Sequence, residues 1–447
     1  MFGRACPQRS RRSAARLSDR PAPPARFHSR ARPRSQAIRR GHRQHDEGAH
    51  PGQTRHRPHH RQQTRVEYQH YAARVIDGVG QLIVRKPRIS GVQHRAESEC
   101  RVEQQKMAVD ILRLSSLPGD VELLVGGFPR QDLSQAGLTA GIDGSRSGLV
   151  GRVFQLLDAR PVPWVLLENV SFMLQLDRGR ALATLVEAFE ARGYRWAYRV
   201  VNSLAFLPQR RERVLFLATT TDVDPADVLL VDDVAPRDRR TSLDTHAHGF
   251  YWTEGIRGLG WAQDAIPTMK NGSTVGIPSP PAIMLPGGAV VTPDIRDAER
   301  LQGFAADWTA PAERVGRAST RWSLVGNAVT TPVAAWLGGR LCMPGRYDGG
   351  RDVAIDTLKR WPTAARFDGT RRTAVRIGAL PVWRERPALA EFLMFPGKPL
   401  SARATRGFLD RTTRGTLRFT PGFQDRLRAH LAVMEGVGRM LPLMAAE

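Results

Sequence analysis

From residue 107 onward the chain alternates two kinds of apolar pattern. Unbroken apolar runs bounded by glycine or charge predict buried strands over 121–128 (VELLVGGF), 164–169 (WVLLEN), 196–203 and 213–219. Between them apolar residues recur at three- and four-residue steps. That period predicts helices over 148–157 and 180–192, the second stopped by Gly193. Strands alternating with helices predict an α/β fold with a doubly wound, Rossmann-like sheet, whose ligands bind at the carboxyl ends of the strands. Over 220–292 the period is lost and Gly, Pro, Thr and Asp dominate, which predicts a loop-rich inserted domain. Helical pattern returns at 294–304 and 327–341, and two more helices are predicted near 400–411 and 422–435. The expected division is an α/β domain over 66–219, an insert over 220–293, a return of the first domain over 294–344, and an extension over 345–447.

Composition changes this picture mainly at the start. Residues 1–65 hold many Arg, Pro, Gln and His and almost no Leu, Ile, Val or Phe, and nine of the twelve histidines precede residue 107. Such a segment cannot bury enough apolar surface to offset its ordering entropy, so it is expected to be disordered. Two readings of it stay open: a basic DNA-binding tail, or a mistranslated segment, since GC-rich coding sequence read out of frame yields Arg, Pro, His and Gln. The formal net charge is +24 and the pI about 11.3, which implies a polyanionic partner, most simply nucleic acid. The charge is uneven. Residues 1–106 carry 24 Lys+Arg against 8 Asp+Glu, and the remainder 43 against 35. The extension over 345–447 is basic too, and its Arg-rich helices are either phosphate-gripping or a solvated face.

With 41% hydrophobic residues a sizeable core is expected. No apolar run of about 18 residues occurs, so no membrane span is expected, and the basic start lacks the apolar stretch of a secretory signal. Cys6, Cys100 and Cys342 show neither metal-ligand spacing nor a disulfide framework, which fits a reducing cytoplasm and no bound metal.

Five short strings carry candidate chemistry. GGFPRQDLS (126–134) ends a strand in glycines that admit close backbone approach and a proline that stiffens the turn. Glu168-Asn169-Val170 follows a buried strand, where a carboxylate can meet a ligand. QRRER (209–213), RDAERLQGF (296–304) and GNAVTTPVAAWLGGRL (326–341) complete the set. Singly, each has an ordinary reading as a strand end, a surface cap, a solvated face or a turn. In this order and with these gaps they resemble the DNA cytosine-5 methyltransferase family of bacterial and phage modification type.

The resemblance implies S-adenosylmethionine as cofactor, double-stranded DNA as partner, a cognate restriction endonuclease in the same system, and a cytoplasmic, nucleoid-associated bacterial enzyme. It also implies a role for each matched residue. The family's Gly-Phe-Pro-Cys-Gln loop closes over a flipped cytosine, and here its nucleophile position is Arg130, followed by Gln131. Glu168, with Asn169, would hold N3 of the base, and Arg211 and Arg213 would line its pocket with Arg213 nearest O2. Phe128, Pro129, Asn327 and Val329 would face the cofactor, Asp110 its adenine, and Glu67 beside Tyr68 its ribose. The segment 220–293 would read DNA, with 249–261 suited to groove contact and 268–283 its turn-rich part.

Two departures stand out. No string over 40–66 resembles the family's glycine-rich first cofactor motif, and 80–106 lack family character, so the frame or the gene is expected to be damaged before residue 107. The second is Arg130. In the family a cysteine thiolate adds to C6 of the flipped base, the glutamate supports N3, and C5 then accepts the methyl group. A guanidinium stays protonated and offers no nucleophilic lone pair, so methylation is expected to be impaired or lost. A catalytically dead DNA-binding protein and an RNA cytosine-5 methyltransferase are the alternatives.

Overall fold

The structure, a computed structural model, describes residues 114–127, 149–236, 241–270, 280–314, 316–317, 319–355 and 361–444, together with the backbone of 82–85. The expected basic segment 1–65, Glu67, Asp110, Phe128, Pro129, Arg130 and Gln131 lie outside the described residues.

Eight strands form the main sheet. They are β1 (Leu82–Arg85), β2 (Leu123–Gly127), β3 (Trp164–Val170), β4 (Arg195–Asn202), β6 (Glu212–Thr219), β12 (Asp352–Ala354), β13 (Ala364–Phe367) and β14 (Arg372–Val375), in the order β1-β2-β3-β6-β4-β13-β14-β12. Strands β2 and β3 run parallel, while β6 lies antiparallel between β3 and β4. The reversed β6 follows from its short connection to β4, since only an antiparallel neighbour can be reached without a crossover.

Alternation along the strands decides which helices cover which face. On one face Leu124, Val165, Trp196, Tyr198, Val214 and Phe216 pack against α1 (Leu149–Ala159) and α2 (Arg180–Glu190). Phe189 of α2 meets Phe154 at 5.0 Å and Phe216 at 5.2 Å between ring centroids. On the other face Ala197, Val201, Leu215 and Leu217 pack against α3 (Pro225–Leu229) and α6 (Thr331–Cys342). The sheet is thus covered by helices on both sides, the doubly wound arrangement expected.

Three boundaries differ from the sequence reading. Helix α3 begins with Asp224 capping Ala226 N and packs on the main sheet. The small domain therefore starts after it, not at residue 220. The helix expected over 327–341 starts later, at Thr331, and follows a separate helix. Helix α5 (Ser319–Asn327) ends at the Gly-Asn pair, and α6 starts afresh with Pro332 in its first turn, where proline's missing N–H has no helical partner to lose. The expected extension over 345–447 is divided between both domains: β12, β13 and β14 complete the main sheet, β13 pairing antiparallel with β4.

The small domain is a five-stranded sheet in the order β15-β11-β10-β7-β8, from β7 (His248–Phe250), β8 (Ala262–Gln263), β10 (Ala282–Met284), β11 (Val290–Thr292) and β15 (Lys398–Pro399). Its core joins Phe250, Met284 and Val290 to Phe408 and Leu409 of α8 (Ala402–Arg414) and Phe423 and Leu427 of α9 (Phe423–Met444). A further pair, β5 (Gln209–Arg210) with β9 (Ile266–Pro267), links the two domains in parallel. No helix among the described residues is long and apolar enough to cross a membrane.

His248 is buried in this small domain at 1% exposure, stacked on Trp261 with centroids 4.9 Å apart. Burial holds its pKa below the ordinary 6.5, with a hydrogen bond to the His246 carbonyl and the charge of Asp264 opposing and the charge of His246 adding to the fall. The unfolded chain therefore binds this proton more readily than the folded one. The stability His248 contributes is present above pH about 6.5 and is lost as pH falls through the folded value. Thermal melts of His248→Gln at about pH 7 and pH 5 are expected to show a smaller acid-induced drop than the parent. An identical drop in both would assign the acid sensitivity to other groups.

Candidate active site

The carboxyl end of β3 and the start of β6 meet in antiparallel register, with Val170 opposite Arg213 and Glu168 opposite Leu215. This brings Glu168 Oε1 to 2.8 Å from Arg213 Nε, both side chains under one-fifth exposed. On the other side β3 runs parallel to β2, which places Gly127 opposite Glu168. A Cβ at Gly127 would lie 3.6 Å from Glu168 Oε2. Gly127, the last described residue before Phe128, thus lies beside the carboxylate. A paired acid and base at strand ends can present a hydrogen-bonding edge to a planar polar ring.

Behind this pair the other motifs are tied together. Arg211 is 2% exposed, and its guanidinium donates to the carbonyls of Met269 (3.2 Å), Gly326 (3.3 Å) and Ala328 (2.8 Å). Burial, then the neighbouring charge of Arg213, pull its pKa down to about 9, against the charges of Glu168 and Tyr251. It still carries its proton at neutral pH. Its expected place in the base pocket is therefore corrected: the guanidinium faces backbone carbonyls and clamps the small domain to the 326–328 elbow.

Gln209 is fully buried. Its Nε2 donates to Leu301 O at 2.8 Å and to Gln302 Oε1 at 3.1 Å. Gln302 Nε2 donates to Val325 O at 2.8 Å, and Thr330 Oγ1 donates to Gln302 Oε1 at 2.9 Å. Ser203 Oγ completes the chain at 2.8 Å from Thr330 Oγ1. Next in sequence, Gly303 has φ 89, and a Cβ there would fall 2.4 Å from Thr331 Oγ1 and 2.5 Å from Pro332. Only glycine allows α6 to begin so close.

Glu299, fully buried, is held by Arg321 at 3.0 Å, and the same guanidinium reaches Asp307 and Glu313. Burial works against the Arg321 charge, but hydrogen bonds to these carboxylates outweigh it and the pKa rises. This fixes the segment between α4 (Ile295–Leu301) and α5.

Asn169 is 5% exposed, and its Oδ1 accepts from Val170 N at 2.7 Å, which secures the strand end. Around the elbow, Gly326, Ala328 and Thr330 are buried while Asn327 and Val329 are half-exposed. The elbow's backbone is pinned by Arg211 and Gln302, and its alternate side chains face outward. Glu168, Arg213, Arg211 and the Asn327 elbow are thus one connected group. Gln209, Gln302 and Thr330 lie within the motif strings, but nothing in those strings alone gives them a role. A glutamine beside apolar neighbours in two separate motifs was the available signal, because a buried amide needs a partner.

Comparisons with known proteins agree with this arrangement. The profile of C-5 cytosine-specific DNA methylase matches residues 97–246. Type II methyltransferase M2.BsuMI of Bacillus subtilis (strain 168) is 44% identical over 348 residues, covering 72% of this chain and 89% of that protein. Orphan methyltransferase M.SPRI of Bacillus phage SPR is 30% identical over 161 residues, 34% of this chain and 36% of that one. Among solved structures, the Dnmt2 methyltransferase of S. pombe aligns over 50% of this chain and 78% of its own at 14% identity, with a TM-score of 0.33. That likeness is too loose to add to the case. The chain belongs to the DNA cytosine-5 methyltransferase family. Its class of substrate is DNA, and the family's methyl donor is S-adenosylmethionine.

Asn327 and Val329, expected to face the donor, are half-buried on a pinned backbone where a ligand could reach them. The strand beside β2 is β1, which runs antiparallel to it, so its carboxyl end points away from Glu168. Among the described residues no glycine-rich strand-to-helix turn stands beside β2.

Proposed function

We propose that this chain derives from a modification methyltransferase of a restriction–modification pair, with its base-binding half kept and its covalent chemistry blocked at Arg130. The observation that carries the reading is the Glu168–Arg213 pair at 2.8 Å beside Gly127, the residue that leads into the 128–134 string. In this reading Glu168 supports N3 of a flipped cytosine and Arg213 its O2, where fixed donors stabilise charge developing on the ring. Arg211, Asn169 and Gln209 hold those two in place. Gln131 flanks the base from the loop. Asn327, Val329, Phe128 and Pro129 form one wall of the donor site, with Asp110 and Glu67 toward its nucleoside end. When bound, S-adenosylmethionine supplies an electrophilic methyl group.

Arg130 has no lone pair to offer C6, and it adds a second cation to a site already holding Arg213. The exposed Cys342 ends α6 in a different part of the fold and offers no substitute thiol. The Type II name of the B. subtilis relative supports pairing with a restriction endonuclease, and the DNA substrate supports a place at the nucleoid. A second reading, a DNA-binding protein without methyl transfer, is favoured by the same Arg130 together with a structured small domain.

Bisulfite sequencing of DNA from a host without cytosine-5 methylation tests this. We expect no protected cytosine with the unaltered chain. We expect none with Arg130→Cys alone, because the glycine loop is missing. Protection in one sequence context is expected when Arg130→Cys is combined with the N-terminal segment of M2.BsuMI in place of residues 1–106. Protection by the unaltered chain would overturn the proposal, and protection of RNA alone would favour the RNA enzyme.

A further inference from the structure

The small domain presents one rigid, outward-pointing turn. Residues 251–260 (YWTEGIRGLG) leave β7 and fold back on themselves, with Tyr251 N donating to Leu259 O at 2.7 Å and Gly255 N to Gly258 O at 2.9 Å. At the tip Ile256 is 50% exposed and Arg257 is exposed, and Arg257 has no ion-pair partner among the described residues. An isoleucine held half in water beside a solvated guanidinium is a poor solution for a plain turn, where small polar residues serve better.

Two sets of contacts hold this turn. The first runs to the base-binding side: Tyr251 OH donates to Thr268 O at 2.6 Å, Thr268 Oγ1 donates to Arg210 O at 3.0 Å, and Met269 O accepts from Arg211. Lys270 lies over the Tyr251 ring at 3.7 Å and pairs with Glu254, which takes that carboxylate's charge away from the tip. The second set comes from α8, beyond the last of the five motifs. Arg411 donates from Nη2 to Trp252 O at 2.7 Å and from Nε to Glu254 O at 3.0 Å. Gly415, just past α8, approaches so closely that a Cβ there would lie 2.8 Å from Ile256 O. Phe408 stacks on Phe250 at 5.1 Å beneath the loop.

We propose that Ile256 and Arg257 read base edges in the DNA groove and that α8 is the brace that sets their register. The inference rests on the DNA-binding reading above and names the residues through which it is specific. Arg257 has the fork that pairs with O6 and N7 of guanine, and Ile256 the apolar surface that meets the methyl group of thymine. A contact of this kind discriminates only when the side chain is already placed. Arg411 is a positioning residue: its fork fixes two loop carbonyls and touches no DNA.

The test uses the full chain as it stands and a pool of randomised duplex DNA, with bound molecules selected and sequenced. The unaltered chain is expected to enrich a sequence with at least one fixed guanine. Arg257→Ala is expected to lower preference at that guanine by about 5- to 100-fold and leave the other positions unchanged. Ile256→Ala is expected to relax a neighbouring position, and Arg411→Ala both positions together, with Arg411→Lys recovering part of the loss. Both tip residues are exposed, so Arg257→Ala and Ile256→Ala keep the parent's melting temperature, and these two decide the matter even where Arg411→Ala lowers it. An unchanged enriched sequence in both tip variants overturns the inference while leaving DNA recognition in place. Enrichment of nothing by the unaltered chain overturns both.

Discussion

Arg130→Cys, in the otherwise unchanged chain, is expected to release tritium from C5-tritiated cytosine in duplex DNA, while the unaltered chain releases none. The exchange isolates the step that Arg130 blocks. A thiolate adds to C6, C5 becomes nucleophilic and takes a proton from solvent, the original hydrogen leaves from C5, and the thiolate departs from C6. Every atom comes from the base, the cysteine or water, so the step needs no bound methyl donor. The environment favours the step. Glu168 and Arg213 lie beside Gly127, three residues before position 130, and the Arg213 guanidinium offers positive charge that favours a thiolate over a thiol. The gain is expected to be on the order of 10³-fold or more, since removing a nucleophile abolishes what its partners support. Adding Glu168→Gln to the cysteine variant is expected to cost about 10²- to 10⁴-fold, the range for a displaced proton-transfer group. Equal release by the unaltered and cysteine chains would show that Arg130 does not occupy the nucleophile's place.

The strands and the helices on both faces were legible because their signals are local. WVLLEN at 164–169 became β3, and the apolar steps of 180–192 became α2. The Glu168–Arg213 pair was legible too, because both residues stand at the ends of apolar runs in shared motifs. Arg211 was only half legible. Its motif places it at the site, but its three acceptors lie 58 to 117 residues away, and spacing cannot say which carbonyls a buried guanidinium will find. The extension over 345–447 shows its two helices in the sequence but not what they pack against, because its arginines outweigh a sparse apolar pattern. Phe408, Leu409, Phe423 and Leu427 also pack on Phe250 and Met284, which lie more than a hundred residues earlier, a pairing that local spacing does not show. The break between α5 and α6 was available to a closer reading. Thr330-Thr331-Pro332 places a helix-starting proline inside what looked like one period.

The connection between the two domains makes the second large prediction. Arg211→Met keeps most of the side chain's volume and removes the guanidinium, so its effect is not that of a cavity. Two terms oppose each other. Removing a buried cation recovers its desolvation cost, and the depression of its pKa to about 9 by burial shows that this cost is real. In the pH window from about 9 up to the ordinary arginine range, the unfolded chain holds this proton more firmly than the folded chain, and below it both hold it. Stability therefore rises with pH through that window in the parent, and the rise is absent in the variant. Against the recovered cost stand three carbonyls, Met269, Gly326 and Ala328, that lose a charged donor. At about 1–3 kcal/mol for each buried acceptor left without a donor, their loss outweighs the recovered desolvation. Ala328 O keeps only a long contact of 3.4 Å from Gln302. Urea unfolding at neutral pH is expected to give Arg211→Met about 3 kcal/mol less stability than the parent. Tritium exchange in the Arg130→Cys chain is expected to fall at least tenfold, because the clamp joining the small domain to the 326–328 elbow is gone. A variant as stable as its parent, with exchange intact, would mean that Gln209 and Gln302 alone hold the domains together and that Arg211 faces the base after all.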